Sequence, residues 1–278
     1  MVIIEPHIHM FSRTTDEYCA MYNAGIRACV EPSFWLGANR EYAGSFFDYF
    51  KIILDFETVR AARFGIDHYA AISVNPKEAE DLGLAREVIA GLDRFLAHER
   101  CLAVGEIGLN NITENEAKVF AEQLEIAKNK NLPVIIHLPH FNKTKGIDWT
   151  AQIVKDSGIS PDRVLIDHNT EECMRAARET GCWTGMTVYP ISKLDPPRAA
   201  NLVKEYGTDR MIISGSADWG VSDPLSLVKV CKHMEEQGFP EAEVKKILFE
   251  NPNDFYSRSP RWKPNFDIKP LDPREFQR

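Results

Sequence analysis

Short apolar runs alternate with amphipathic stretches along almost the whole chain. Runs at 2–6, 28–31, 69–74, 102–106, 134–137, 164–167, 182–187 and 211–214 have strand length and are bounded by polar or turn residues, so they read as β-strands. Between them the apolar spacing predicts helices over 15–24, 46–64, 78–98, 114–131, 148–157, 171–180, 197–206 and 224–237. Asn131-Leu132-Pro133 and Ser160-Pro161-Asp162 supply turn signals ahead of the fifth and sixth strands. Eight strand–helix units in a row predict a (β/α)8 TIM barrel forming a single domain. A further helix over 241–249 leads into Asn251-Pro252-Asn253-Asp254-Phe255-Tyr256. The barrel domain is therefore expected to span 1–256. Residues 257–278, with Pro260, Pro264, Pro270 and Pro273 and no periodicity, are expected to form an extended tail packed on the barrel or on a partner.

Composition narrows the class. The chain has 278 residues, 44% of them hydrophobic, which is enough for the core of one barrel. The net charge of −8 gives no overall footprint for binding nucleic acid, which usually needs a basic face. A small molecule is thus the expected substrate, ahead of nucleic acid. The six cysteines (Cys19, Cys29, Cys101, Cys173, Cys182, Cys231) are scattered without a CxxC pair and read as reduced thiols. There is no signal-peptide pattern and no apolar stretch approaching the roughly 18 residues of a membrane span. A cytoplasmic protein without membrane attachment is expected, and a homo-oligomer is compatible with these features.

Residues able to bind metal sit at the C-terminal ends of the predicted strands, where barrels of this kind carry their catalytic groups. His7 and His9 follow the first strand; at i and i+2 on an extended segment their imidazoles point to the same side. Glu106 ends the fourth strand and His137 the fifth. His168 follows the sixth strand and Asp218 the eighth. Carboxylates beside apolar runs are costly unless something offsets their charge. Imidazoles and carboxylates together suit Zn2+, Mn2+, Fe2+, Co2+ or Ni2+. A catalytic ion usually takes three protein ligands and leaves a position open, so six candidates point to two divalent ions. Glu106 is the best bridge between them. His98 and His233, on helices, read as solvated, and His68, ahead of the third strand, as lying away from the chemistry.

These motifs resemble the TatD-like metal-dependent hydrolases of the amidohydrolase superfamily. The resemblance runs from His7-Ile8-His9 through Asn251-Pro252, and Gly105-Glu106-Ile107-Gly108-Leu109 is its most specific short run. It implies that His7, His9 and Asp218 hold one ion and His137 and His168 the other, with Glu106 joining both. It makes Glu106 and Asp218 the catalytic carboxylates, and zinc or manganese the first metals to expect. The implied nucleophile is a metal-activated hydroxide, with Asp218 taking its proton and returning it to the leaving group. The chain departs from the family pattern at three places. Asn110-Asn111 stands where an Asp usually follows Gly-Leu, the strand-eight run is Ser216-Ala217-Asp218-Trp219-Gly220, and the strand-six run is Asp167-His168-Asn169-Thr170-Glu171-Glu172. These departures point away from the DNase activity of some relatives.

The substrate must then be chosen by the loops. His140 is the candidate oxyanion or phosphate contact, Trp219 a wall of the pocket, and Tyr189 a further contact after strand seven. Asn169 is placed to orient His168. Glu31, ending strand two, is expected either to support the site or to touch substrate. Trp35 and Arg40 lie in the long loop 33–45, expected to act as a lid. Lys143 and Lys145 read as solvated surface charges. The expected function is hydrolysis of a small-molecule amide, lactone or ester. The alternatives are a metal-dependent DNase or phosphodiesterase, which would need a basic groove, a mononuclear lyase, and a metal-binding barrel without turnover.

Overall fold

Among the described residues, eight strands follow one another round the sheet in chain order, each parallel to the next. They are β1 (Ile3–Glu5), β2 (Ile26–Pro32), β3 (Asp67–Ala71), β4 (Cys101–Gly108), β5 (Val134–His137), β6 (Val164–Asp167), β7 (Trp183–Thr187) and β8 (Met211–Ser214). The computed structural model describes residues 1–272 and Glu275. The remainder of the predicted tail, Pro273 included, lies outside the described residues. The seam between β8 and β1 is joined just past the strand ends. There Ser216 N donates to His7 O at 2.7 Å and His9 N donates to Ala217 O at 2.9 Å. The architecture is the expected (β/α)8 barrel.

The outer ring comprises α1 (Thr15–Asn23), α2 (Ala43–Lys51), α3 (Glu57–Arg63), α4 (Leu82–Ala90), α5 (Asp93–Leu96), α6 (Glu114–Asn129), α7 (Lys143–Ser157), α8 (Met174–Glu179), α9 (Pro196–Tyr206) and α10 (Ser226–Glu236). After these come α11 (Glu241–Lys245) and α12 (Asn251–Tyr256). Several differ from the sequence expectation. The helix predicted over 46–64 runs through a π-helical stretch, Ile52–Phe56, which separates α2 from α3. The stretch 78–98 is broken at Gly91, so α4 and α5 are separate. The predicted helix 148–157 begins earlier, at Lys143, because Asn142 takes a left-handed conformation that starts it. Asn251-Pro252 opens a helix, since proline in the first turn gives up no helical hydrogen bond.

Side-chain alternation along the strands divides the core into two layers. Ile3, Cys29, Val104, Val134, Ile136, Val164, Ile166, Met211 and Ile213 face the helices. Ile4, Ala28, Val30, Ala103, Ile135, Leu165, Trp183 and Ile212 pack together inside the barrel. The inner layer is floored by Phe255, Tyr256 and Trp262. The tail does pack on the barrel: the Trp262 ring lies 5.0 Å from Tyr69 and 5.5 Å from Tyr256, and Asn265 N donates to Asp67 Oδ2 at 2.8 Å. Two residues further along their strands, the inner positions after Ile135, Leu165, Gly185 and Ile212 are His137, Asp167, Thr187 and Ser214. A polar layer therefore sits directly on an apolar one.

Candidate metal centre

Local backbone brings the polar groups to one point. His137 reaches it as the next inward residue of β5 after Ile135. His168 would face outward if β6 simply continued, but its φ is 65°, and this left-handed turn swings the imidazole back over the barrel. Two side chains hold that turn. Asp167 Oδ1 accepts from His168 N at 2.7 Å, and Lys143 Nζ donates to His168 O at 2.7 Å and to Pro139 O at 3.1 Å. Lys143 is therefore buried and structural, not a solvated charge as its position in the sequence suggested.

Glu106 is the hub. Its Oε1 lies 3.0 Å from His137 Nδ1, 2.9 Å from His168 Nε2 and 3.7 Å from His7 Nε2, while Oε2 accepts from Asn75 Nδ2 at 3.2 Å. His7 Nε2 lies 3.3 Å from His9 Nε2. One ligand atom each from His7, Glu106 and His168 falls within 4.8 Å of the others. Burial pushes the Glu106 carboxyl up, but the surrounding His7, His137 and His168 outweigh it and hold the group well below the usual carboxylate range. Burial, with His7 beside it, pushes the His9 imidazole down. Burial likewise lowers His137, and burial with the nearby Lys193 ammonium lowers His168. Neutral imidazoles and an ionised carboxylate are the forms that donate lone pairs to a metal. Among the described residues two buried nitrogens, His9 Nδ1 and His137 Nε2, have no hydrogen-bond partner. An unmatched buried polar atom is expensive, and a cation offers what the protein does not. Donor set and orphaned nitrogens both fit a divalent metal.

Five of the six predicted ligands thus meet. Asp218 stands apart: its Oδ1 accepts from the Tyr189 hydroxyl at 2.8 Å and from Gly220 N at 2.7 Å, and Arg13 donates to its carbonyl. It does line the same cavity, of about 720 Å3, into which Glu106, His137 and His168 open. His140, Trp35, Tyr189 and Trp219 also line it. The aromatic wall is continuous: Phe34 stacks on His9 with ring centroids 3.9 Å apart, and Trp219 lies 4.8 Å from Phe34 and 5.7 Å from Trp35.

Three residues expected to touch substrate or support the site, Glu31, Arg40 and Asn169, are engaged elsewhere. Glu31 is buried and spends its oxygens on Phe11 N at 2.8 Å and on His68 Nε2 at 2.8 Å. His68 itself lies within β3, not ahead of it, as the buried partner of that carboxylate. Arg40 is clamped to Glu78 at 2.8 and 2.9 Å and to Phe34 O at 2.6 Å, so it fastens the loop after β2 instead of reaching substrate. Asn169 does not touch the His168 ring; its amide donates to Ile166 O and Gly185 O. The groups that orient the imidazoles are others.

The sequence profile of the family described as TatD related DNase matches residues 4–257. The chain belongs to the TatD family. By that membership it is a metal-dependent hydrolase on a TIM barrel. An uncharacterized metal-dependent hydrolase of Methanocaldococcus jannaschii is 27% identical over 260 residues, covering 91% of this chain and 99% of its own length. The TatD-like protein of Archaeoglobus fulgidus superimposes with a TM-score of 0.76 at 27% identity, over 91% of this chain and 99% of that one. A lactonase from Listeria monocytogenes, at 15% identity and TM-score 0.67 over 92% of this chain and 94% of that one, shares the fold.

Within this TatD-family site, sequence reasoning missed several residues. Asp167 Oδ2 sits 2.7 Å from His7 Nδ1 and so directs His7 Nε2 toward Glu106. Burial works to raise the Asp167 carboxyl, but His168 and the bond to His7 hold it well below its ordinary range. Its inward position, two residues past Leu165, was the available signal. Thr187 Oγ1 lies 2.6 Å from His168 Nδ1, and Lys193 Nζ lies 3.2 Å from the same nitrogen. Burial pulls the Lys193 ammonium down to about 8. The buried Glu116 gathers the N–H groups of Asn110, Asn111 and Ile112, shaping the loop after β4. Its place three residues after Thr113 in a capping box is legible in the sequence.

Proposed function

We propose that this TatD-family hydrolase binds two divalent ions, zinc or manganese first, and hydrolyses a small-molecule amide, lactone or ester. The observation that carries the reading is Glu106 Oε1, shared by His137, His168 and, at a longer distance, His7. A carboxylate between two histidine groups suits a bridge. His7, His9 and Asp218 would hold one ion and His137 and His168 the other. Such ions would supply Lewis acidity and a water of lowered pKa.

The chain's own groups do the rest. Asp167 fixes the His7 tautomer, and Thr187 accepts from His168 Nδ1, leaving Nε2 of each ring for metal. Asp218, positioned by the Tyr189 hydroxyl, takes the proton of the attacking water and delivers it to the departing oxygen or nitrogen. His140 faces the same cavity and is poised as a neutral donor, burial pushing it down to about 3. Phe34, Trp35 and Trp219 give the cavity an apolar wall. A nuclease would present a basic groove, whereas Phe141 and Ile191 at the cavity mouth are exposed apolar side chains. The six cysteines are unpaired, which suits a reducing compartment such as the cytoplasm.

The test is metal content by elemental mass spectrometry on protein purified without chelators, with His7→Ala and His168→Ala alongside. About two equivalents, with each variant losing one, supports the binuclear site. One equivalent that survives His168→Ala sinks it. A panel of lactones, amides and esters, run against a single-stranded oligonucleotide, decides the substrate class.

A further inference from the structure

We propose that the cavity selects a substrate bearing a carboxylate remote from the bond that is cut, and that Lys193 receives that carboxylate while Lys77 adds positive charge from across the mouth. The proposal rests on the hydrolase reading and names its substrate class. Lys77 follows β3 and Lys193 follows β7, and strands four apart in an eight-stranded ring lie on opposite sides. Both side chains line the cavity and are half-buried. Lys193 Nζ lies 3.2 Å from His168 Nδ1, the nitrogen whose proton goes to Thr187, and 5.3 Å from the centre of the Tyr189 ring. An ammonium carries three donors, so at least two remain. Lys77 Nζ lies 4.5 Å over the Trp35 ring.

Among the described residues neither ammonium is paired with a carboxylate. Arg40, Arg60 and Arg100 are each matched, by Glu78, Glu57 and Asp67. Withdrawing a cation from water without acceptors is costly; the buried Lys143 is met by two carbonyls, whereas among the described residues neither Lys193 nor Lys77 is given an oxygen acceptor. The carboxylates of the cavity are already engaged. Glu106 serves His137, His168 and Asn75, and Asp218 serves Tyr189 and Gly220. The missing negative charge is therefore the ligand's. Phe34, Trp35 and Trp219 line the same cavity of about 720 Å3 and suit a compact apolar body. A polynucleotide would need a run of cations along its backbone, and the apolar mouth does not provide one.

Calorimetric titration of the metal-free protein with glutarate and with its neutral diamide, glutaramide, tests this without any turnover. A charge-assisted hydrogen bond is strong enough that glutarate should bind about tenfold tighter than glutaramide. Lys193→Met should abolish that preference, Lys77→Met should reduce it, and Lys232→Met, an exposed residue of α10, should leave it intact. Unchanged circular dichroism and melting temperature show that the variants fold. Equal affinity for the two probes, no binding of glutarate, or a preference that survives Lys193→Met overturns the proposal. So does a single-stranded oligonucleotide that binds where glutarate does not. A metal-loaded protein that binds glutarate through Lys193 but hydrolyses no ester, lactone or amide would retire the hydrolase reading and keep the carboxylate site.

Discussion

Replacing Asp167 with asparagine separates a residue that orients a ligand from one that merely fills space. Asp167 uses both oxygens as acceptors: Oδ2 from His7 Nδ1 at 2.7 Å, and Oδ1 from His168 N at 2.7 Å and the Thr187 hydroxyl at 3.4 Å. An asparagine must turn one of these positions into a donor. If the amide nitrogen faces His168 N, two donors meet and the turn that aims His168 loosens. If it faces His7, the His7 proton moves to Nε2, which lies 3.3 Å from His9 Nε2 and 3.7 Å from Glu106 Oε1. That nitrogen then has no lone pair for a metal. Either arrangement forfeits one charge-assisted hydrogen bond, about 1.5–3 kcal/mol. This corresponds to a loss of about 10–100-fold in metal affinity, the usual cost of disturbing a group behind a histidine ligand. Competitive titration of metal-free protein with Zn2+ against a chromogenic chelator reads the change, with His233→Ala as the control. Zn2+ affinity in Asp167→Asn within about twofold of the parent's, a difference well under 1 kcal/mol, refutes the reasoning. The same carboxyl also titrates below its ordinary value of 3.8. Its stabilising contribution is therefore complete above that pH and lost as pH falls through the folded-state value. Asp167→Asn should flatten the acid limb of a stability-versus-pH curve below about pH 4.

Gly185→Ala should reproduce the metal defect without touching a ligand, because a Cβ there collides with Asp167 Oδ1; normal Zn2+ affinity in that variant would argue against it. Lys143→Met leaves His168 O and Pro139 O without their buried donor and should cost about 1–3 kcal/mol in urea denaturation. Arg40→Met strands the buried Glu78 and should cost about 3–5 kcal/mol of stability. Trp262→Ala opens the floor of the barrel and should lose about 3–5 kcal/mol, with metal content intact.

The strands were legible because strands buried on both faces read as nearly continuous apolar runs, and β5, β6 and β8 match their predicted spans residue for residue. The candidate metal-binding groups were legible for a related reason: His137, Glu106 and His168 lie at the end of those runs, where polarity is expensive. What escaped was set by contacts between loops distant in sequence. Nothing near Arg40 announces that Glu78 will neutralise it, and nothing near Lys193 places it beside His168. His168 was singled out by its place after β6, but periodicity alone points it away from the barrel. Its left-handed turn depends on Lys143, twenty-five residues earlier, donating to its carbonyl. The break between α2 and α3 is equally silent, since a π-helical stretch needs no proline or glycine to mark it.

The seam where the first strand meets the last imposes an order on biosynthesis. The segment carrying His7 and His9 is tied to Ser216, to Ala217 and, through Pro6 O, to the Tyr256 hydroxyl at 2.5 Å. These partners are translated some two hundred residues later, on the order of tens of seconds at ribosomal speed. Until they emerge, the two leading histidines belong to a tether without a socket. On the proposed assignment of His7 and His9 as ligands, metal loading would be a post-translational event performed on a closed ring. A nascent or prematurely terminated chain would carry these two histidines exposed and without the partners that gather them.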